Sequence, residues 1–344
     1  MRREYVLRLL LALIAVGCVV GAFAARGDRP EHTIRVAFLA GVDDEDYIGA
    51  RAFEQRVEAD TGGRVDVQVF PSGQFCGSER ECIEALQSGI LDVHMTTFGG
   101  VATLFGAAQV LDLPYTFASD PAAECVMDGP FMEQLGAALL DAGLGLRLMA
   151  VGNTGGWRSF GTTGQTIRTI GDFRGLRIRT LPSALEQEMV REIGASPTPL
   201  PFSEVYTALS YGLLDGTKLS PQDLVGQKLH EHATFLLLDR HAYMGALWWY
   251  SEPGWRTLPD ELRPSVVAGF AELKRATRAA AKGREAPALA EFKRSGGTVE
   301  QPSAALRAEL ERATRNLRNW YARRYGEEWL LRLDTAVADC AARR

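Results

Sequence analysis

The 344-residue chain is poor in the residues that most readily announce chemistry: it has 5 histidines and 5 cysteines, and no Lys/Arg run exceeds three residues. Gly-x-Ser-x-Gly, the P-loop pattern and the dinucleotide-binding fingerprint are all absent, which removes the most legible catalytic and nucleotide sites. His230-Glu231-His232 resembles a metal motif, but histidines at i and i+2 point to different sides of a helix, whereas a zincin needs i and i+4. Surface histidines are the expectation there. Nucleic acid is excluded as a partner, because phosphate neutralisation needs a clustered basic surface and the formal net charge is −5. There is also only one long apolar run, Leu9 to Phe23.

That run follows Arg2, Arg3 and Arg8 and precedes Ala22-Phe23-Ala24, a small-x-small spacing, and it reads as a secretory signal over residues 1–24. A membrane span needs about 20 apolar residues, and this one meets Arg26 and Asp28 first. Cys18 follows Gly17 in a lipoprotein-like context, but Ala15 is a poor upstream match, so no lipid anchor is expected. Removing the signal leaves 35 basic against 42 acidic residues, a net charge of −7. The expected product is exported and does not span the membrane. In an oxidising compartment an even set of four cysteines tends to pair, and the expected pairs are Cys76 with Cys82 and Cys125 with Cys340. A metal site is the rival reading, but the spacing is not CxxC; a catalytic thiol would need a base that nothing nominates.

What is present is a globular composition, 46% apolar with 35 Gly, enough for one large or two medium domains. Thr33–Leu39 alternates as a strand, and Asp46–Ala59 has helical spacing closed by Gly62-Gly63. Val65, Val67 and Val69 alternate again, a helix is expected from Ser78 to Ser88, and Ile90–Met95 makes a third strand. The rhythm implies a parallel sheet with helices on both faces. It repeats after Leu144–Val151: Gly152–Gly156 reads as a flexible joint, Leu176–Arg179 as a strand, and Ser183 with Glu186 as a capping box for a helix to about Ile193. Ser203 is expected to cap another helix with Val205, Ala208, Leu209 and Leu213 buried. Past Pro259 the chain reads as helical to Ala286 and again from Ser303 to the end. Trp248, Trp249 and Tyr250 read as core or cleft wall.

In Leu176-Arg177-Ile178-Arg179 the apolar pair takes one strand face and the arginines the other. An Arg at the end of an α/β strand points toward the crevice where ligands bind, and its planar fork matches a carboxylate. A surface salt bridge is the competing reading for either arginine.

Gly194-Ala195-Ser196-Pro197-Thr198-Pro199-Leu200-Pro201-Phe202-Ser203-Glu204-Val205-Tyr206-Thr207-Ala208-Leu209, followed by Leu214-Asp215-Gly216, resembles the solute receptors of TRAP transporters, the DctP family of periplasmic binding proteins. Asp172 to Arg179, Gly89 to Asp92 and Leu113-Pro114-Tyr115 extend the resemblance to about residues 33–335. It implies a two-lobed α/β fold with a ligand cleft between the lobes and a long helical C-terminal part. Lobe I would comprise residues 27–154 and about 242–280, lobe II residues 155–241 and about 281–344. By the same resemblance Arg179 pairs with the carboxylate of a small organic acid, Arg158, beside Trp157, is a second ligand arginine, Phe202 is an aromatic wall, and Thr97 faces the ligand from lobe I. Family members commonly carry an Asn that helps hold the carboxylate where this chain has Leu219. The loss of a neutral hydrogen bond there is worth roughly 0.5–1.5 kcal/mol, and Lys218 is a possible compensating charge toward a second acidic group. The implied function is capture of the acid and delivery to membrane transporter subunits, with no cofactor. A periplasmic sensor for a signalling receptor, or an exported enzyme, would use the same fold differently.

Overall fold

A computed structural model describes residues 30–343, so the expected export signal and Cys18 lie outside the described residues. Nine strands among those residues form one sheet: β1 (His32–Ala37), β2 (Val65–Phe70), β3 (Val93–Thr97), β4 (Leu146–Thr162), β5 (Arg177–Thr180), β6 (Ser196–Pro199), β7 (Gly216–Leu219), β8 (Phe235–Ser251) and β9 (Thr298–Glu300). The helices that cover it are α1 (Glu45–Thr61), α2 (Glu79–Gln87), α3 (Phe98–Val101), α4 (Asp120–Met127), α5 (Pro130–Asp141), α6 (Ala184–Glu192), α7 (Val205–Ser210), α8 (Pro221–Gly226), α9 (Glu252–Thr257) and α10 (Arg263–Arg294). Three more, α11 (Ala304–Thr314), α12 (Leu317–Tyr325) and α13 (Glu328–Ala342), finish the chain.

The strand order is β2-β1-β3-β8-β4-β7-β5-β6, with β9 beside β8. β1 to β3 form one parallel unit and β5 to β7 another, and the long antiparallel pair β4 and β8 joins them. Register decides what this arrangement builds. Thr97, at the end of β3, pairs with Ala246 in β8, while Leu219, at the end of β7, pairs with Ser159 toward the end of β4. The carboxyl ends of both parallel units therefore point toward the centre of the long pair from its two flanks. Ligands bind at such carboxyl ends because the loops and helix starts that follow the strands gather there.

The local chemistry explains the elements that matter. Asp44 caps α1, its carboxylate accepting from the Asp46 N–H at 3.1 Å, and Gly62 ends the helix with φ 61°, a left-handed conformation that favours glycine. Ile34, Val36, Val65, Val67, Phe53 and Val57 fill the core between this helix and the sheet. Trp248, Trp249 and Tyr250 are core residues, with Trp249 Nε1 donating to Thr96 Oγ1 at 2.8 Å. Both expected disulfides are present, Cys76–Cys82 and Cys125–Cys340, and the second ties α13 to α4.

Several local expectations are corrected. Gly152–Gly156 is not a separate joint: it lies inside β4 as a register shift between Asn153 and Trp157, with positive φ at Gly155 and Gly156. Ser203 does not cap the following helix, whose first turn is preceded by a 3-10 turn over Phe202–Glu204, and Leu213 is 59% exposed. β6 forms despite two prolines because it is an edge strand, where a missing N–H costs no ladder bond. The helix expected to stop at Ala286 continues through Pro287 to Arg294, and the C-terminal helical stretch breaks into three, the first capped by Ser303. Among the described residues no helix is long and apolar enough to cross a membrane.

Candidate functional site

Where the two sets of strand ends meet lies a narrow cavity of about 50 Å³. The part of the chain from β1 to β3 contributes Leu39, Ala40, Asp44, Asp46, Glu79, Met95 and Thr97, and the part from β4 to α8 contributes Arg158, Arg179, Leu181, Phe202, Leu219 and Asp223. Thr154 and Met244 come from the middle of β4 and β8. A larger open groove of about 490 Å³ runs along α5 and α10, but its Arg147, Lys274 and Asp128 are already paired, to Glu252 and to each other. The smaller cavity is the one that concentrates uncommitted charge.

Arg179 stands at the end of β5 and is 2% exposed. Its Nε donates to the Leu200 carbonyl at 3.0 Å, its guanidinium carbon lies 5.9 Å from the Phe202 ring centre, and its Nη2 is buried with no hydrogen-bond partner. Burial pushes Arg179 down to about 10, against the attraction of Glu186. Arg177, two residues earlier, took the other outcome: it is a surface ion pair with Asp215 at 2.8 Å. Arg158 lies on β4, donates Nη1 to Glu186 at 3.1 Å and leaves its buried Nε unpartnered. Burial works against its charge, but Glu186 and Asp112 outweigh that and raise its pKa.

Glu186 is the hub behind these arginines. Its capping box is only half made: Ser183 Oγ accepts from the Glu186 N–H at 3.3 Å, but the carboxylate turns inward. It accepts from Lys218 Nζ at 2.6 Å and from the Leu181 N–H at 3.1 Å, in addition to Arg158. Although burial opposes its ionisation, Lys218 and Arg158 prevail and hold the carboxyl far below its usual range. Lys218 is therefore a buried structural cation and does not line the cavity, contrary to the expected reach toward a ligand. Trp157 also does not line it; Nε1 donates to Asp120 at 2.6 Å, in a groove with Tyr115 and Arg240. Thr97 lines the cavity while its Oγ1 accepts from the Gly100 N–H at 3.2 Å, and Leu219 presents an apolar wall.

The acids in the cavity were not anticipated. Asp44 and Asp46 follow β1, Glu79 opens α2 inside the loop closed by Cys76–Cys82, and Asp223 lies in the first turn of α8. Thr154 Oγ1 donates to Asp46 Oδ2 at 2.8 Å, and the Asp223 N–H donates to Ser220 Oγ at 3.0 Å. Asp46 Oδ1, Asp223 Oδ2 and Glu79 Oε2 are buried with no partner. Burial pushes Asp223 up to about 7, with Asp44 adding to the rise, and pushes Glu79 up to about 8 in spite of Arg179 and Arg158. The signal available in the sequence was positional: each of these acids sits just past the carboxyl end of a parallel strand. His230 and His232 lie apart from the cavity, with His230 Nδ1 at 3.2 Å from the Leu224 carbonyl and His232 packed on Tyr206, and the described residues include no group of three or more ligands able to hold a metal.

The profile of bacterial extracellular solute-binding protein family 7, DctP, matches residues 38–324. The C4-dicarboxylate-binding periplasmic protein DctP of Rhodobacter capsulatus is 29% identical over 345 residues, covering 96% of this chain and 99% of that protein. The structure of a TRAP periplasmic solute binding protein from Sulfurospirillum deleyianum with bound succinate superposes with a TM-score of 0.84 at 26% identity, covering 90% of this chain and all of that one (100%). Another from Anaerococcus prevotii, with bound glucuronate, gives 0.85 at 25% identity, covering 91% and 99% of the two chains. The two-lobed α/β fold is that of these receptors, and the chain belongs to the DctP family of bacterial extracellular solute-binding proteins.

Proposed function

We propose that this protein is the periplasmic receptor of a TRAP-type transporter, exported by the signal at residues 1–24, and that it captures a small organic acid between its lobes. The observation that carries the reading is the pair Arg158 and Arg179: both line the cavity, both are at most 3% exposed, and each keeps a buried guanidinium nitrogen without a partner. A cation buried and incompletely satisfied is costly unless an anion arrives, and a carboxylate meets it with charge-assisted hydrogen bonds. The succinate and glucuronate held by the Sulfurospirillum and Anaerococcus receptors support an acid as ligand.

Phe202 packs beside Arg179 and would orient the bound carboxylate, with Thr97 and Leu219 as facing walls. Residues 27–154 with about 242–280 form the first lobe in this reading and residues 155–241 with about 281–344 the second, α13 being fastened back to α4 by Cys125–Cys340. Closure of the lobes excludes water and strengthens the ion pair by lowering the local dielectric. The closed form then docks on the membrane subunits. Binding and release suffice for this cycle, with no bond made or broken.

Calorimetry tests the assignment after a thermal-shift screen over organic acids has identified a binder. Arg179→Ala should weaken that acid by about 2–5 kcal/mol, since the carboxylate loses a buried charged partner. Unchanged affinity would remove Arg179 from the site.

A further inference from the structure

The cavity has a second pole that an anion alone leaves unused. Asp44, Asp46 and Asp223 line it at 6%, 0% and 4% exposure, and they come from both lobes, two from the start of α1 and one from the start of α8. No cation among the described residues lies within ion-pair distance of any of the three: Arg284, which pairs with Glu45 at 3.4 Å, attracts Asp44 only from further off, as Arg158 does Asp223. They receive hydrogen bonds from the Asp46 N–H, from Thr154 Oγ1, from Ser220 at Asp223 and from Glu45 at Asp44, and Asp46 Oδ1 and Asp223 Oδ2 are still buried and unpartnered. Buried carboxylates are ordinarily paired or hydrogen-bonded, so unpartnered oxygens aimed into a cavity are addressed to something that enters it.

We propose that the cleft takes a zwitterion, an organic acid that also carries an ammonium or amidinium group, with its carboxylate at Arg158 and Arg179 and its cation at Asp44, Asp46 and Asp223. The inference rests on the receptor reading above and narrows its ligand class. A dicarboxylate placed across the same cavity would set its second anion against a cluster of three acids that offers it no ion-paired cation, and a charge left unmatched in a buried site discriminates against a ligand. Leu39, Met95, Leu181, Leu219 and Met244 also line the cavity and offer no partner to the hydroxyls of a polyol acid. The body of the ligand is therefore aliphatic, with charge at its two ends. Burial and the mutual repulsion of the aspartates raise the proton affinity of this pole in the empty protein, and an arriving cation reverses that.

The test is calorimetry on the full exported protein with three series of matched carbon number, two to six carbons: unbranched ω-amino acids, monocarboxylates and dicarboxylates. The best amino acid should bind at least tenfold tighter than the dicarboxylate of the same length. Asp223→Asn should reduce amino-acid affinity at least tenfold more than it changes monocarboxylate affinity, and Asp46→Asn should do the same. Both variants remove an unpaired buried acid, so the melting temperature of each should equal or exceed that of the wild type, which verifies folding. Arg179→Ala should weaken all three series. Dicarboxylate or monocarboxylate binding without preference for the amino group would overturn the zwitterion and leave the receptor reading standing. Absence of binding across all three series would sink both.

Discussion

At one end of the cleft a buried arginine meets a carboxylate supplied by the protein; at the other, buried aspartates form no ion pair with a cation among the described residues. Glu186 accepts from Arg158, Lys218 and the Leu181 N–H, so two of the three cations at the arginine end share one internal carboxylate. Arg179 makes no ion pair among the described residues and donates to the Leu200 carbonyl, and Arg158 keeps its buried Nε unpartnered. The aspartate end holds Asp44, Asp46 and Asp223 with hydroxyl and N–H donors but no cation. The contrast separates two uses of buried charge. A charge whose partner lies in the same chain holds the fold together, whereas one left unsatisfied is a recognition element.

The comparison breaks first at Glu186. Glu186→Gln strips the only ion-pair partner that Lys218 and Arg158 have among the described residues, and removing one member of a buried charged network costs about 3–5 kcal/mol. Chemical denaturation should register that loss; a cost below about 1 kcal/mol would mean that the hub is a surface-like pair after all.

A smaller effect is expected from pH on the empty protein. Glu79 and Glu45 are raised to about 8 and Asp223 to about 7, all chiefly by burial. Above their ordinary values near pH 4 the unfolded chain has lost these protons while the folded protein keeps them, so stability falls as pH rises through the window up to 7–8. His94, lowered to about 4 by burial, acts in the opposite sense but only below its usual 6.5. The melting temperature should therefore be higher at pH 6.5 than at pH 8 by on the order of 3 °C, and Asp223→Asn should shrink the difference. A higher melting temperature at pH 8 would contradict the uncompensated acidic pole.

The smallest change sharpens the contrast between neighbouring arginines. Arg177→Ala removes a solvent-exposed pair with Asp215, worth about 0–1 kcal/mol, and leaves ligand affinity as it was. A loss of affinity matching that of Arg179→Ala would show that strand-end position and not burial defines the site.

The alternation in β1 and β2, the helical spacing of Phe53 and Val57, and the strand that carries Arg179 were legible because period and apolar pattern are local properties. The long central strands were less so. Gly152–Gly156 read as a joint because glycines weaken a strand signal, yet pairing with β8 resumes at Trp157 opposite Tyr243 after a register shift, so the segment is an irregularity within one strand. Glu186 read as half of a capping box, and local chemistry alone favours that role. Only Lys218 and Arg158, 32 and 28 residues away in the chain, pull its carboxylate inward.

What the sequence determined by itself was the α/β rhythm, the placement of an arginine at a strand end, and cysteines that pair in an oxidising compartment, since each follows from neighbours in the chain or from composition. The meaning of the acids was decided in three dimensions. Asp44, Asp46, Glu79 and Asp223 look like ordinary helix-start residues, and only the register of β3 on β8 and of β7 on β4 brings them into one buried space, where loss of water turns favourable surface charges into unsatisfied ones.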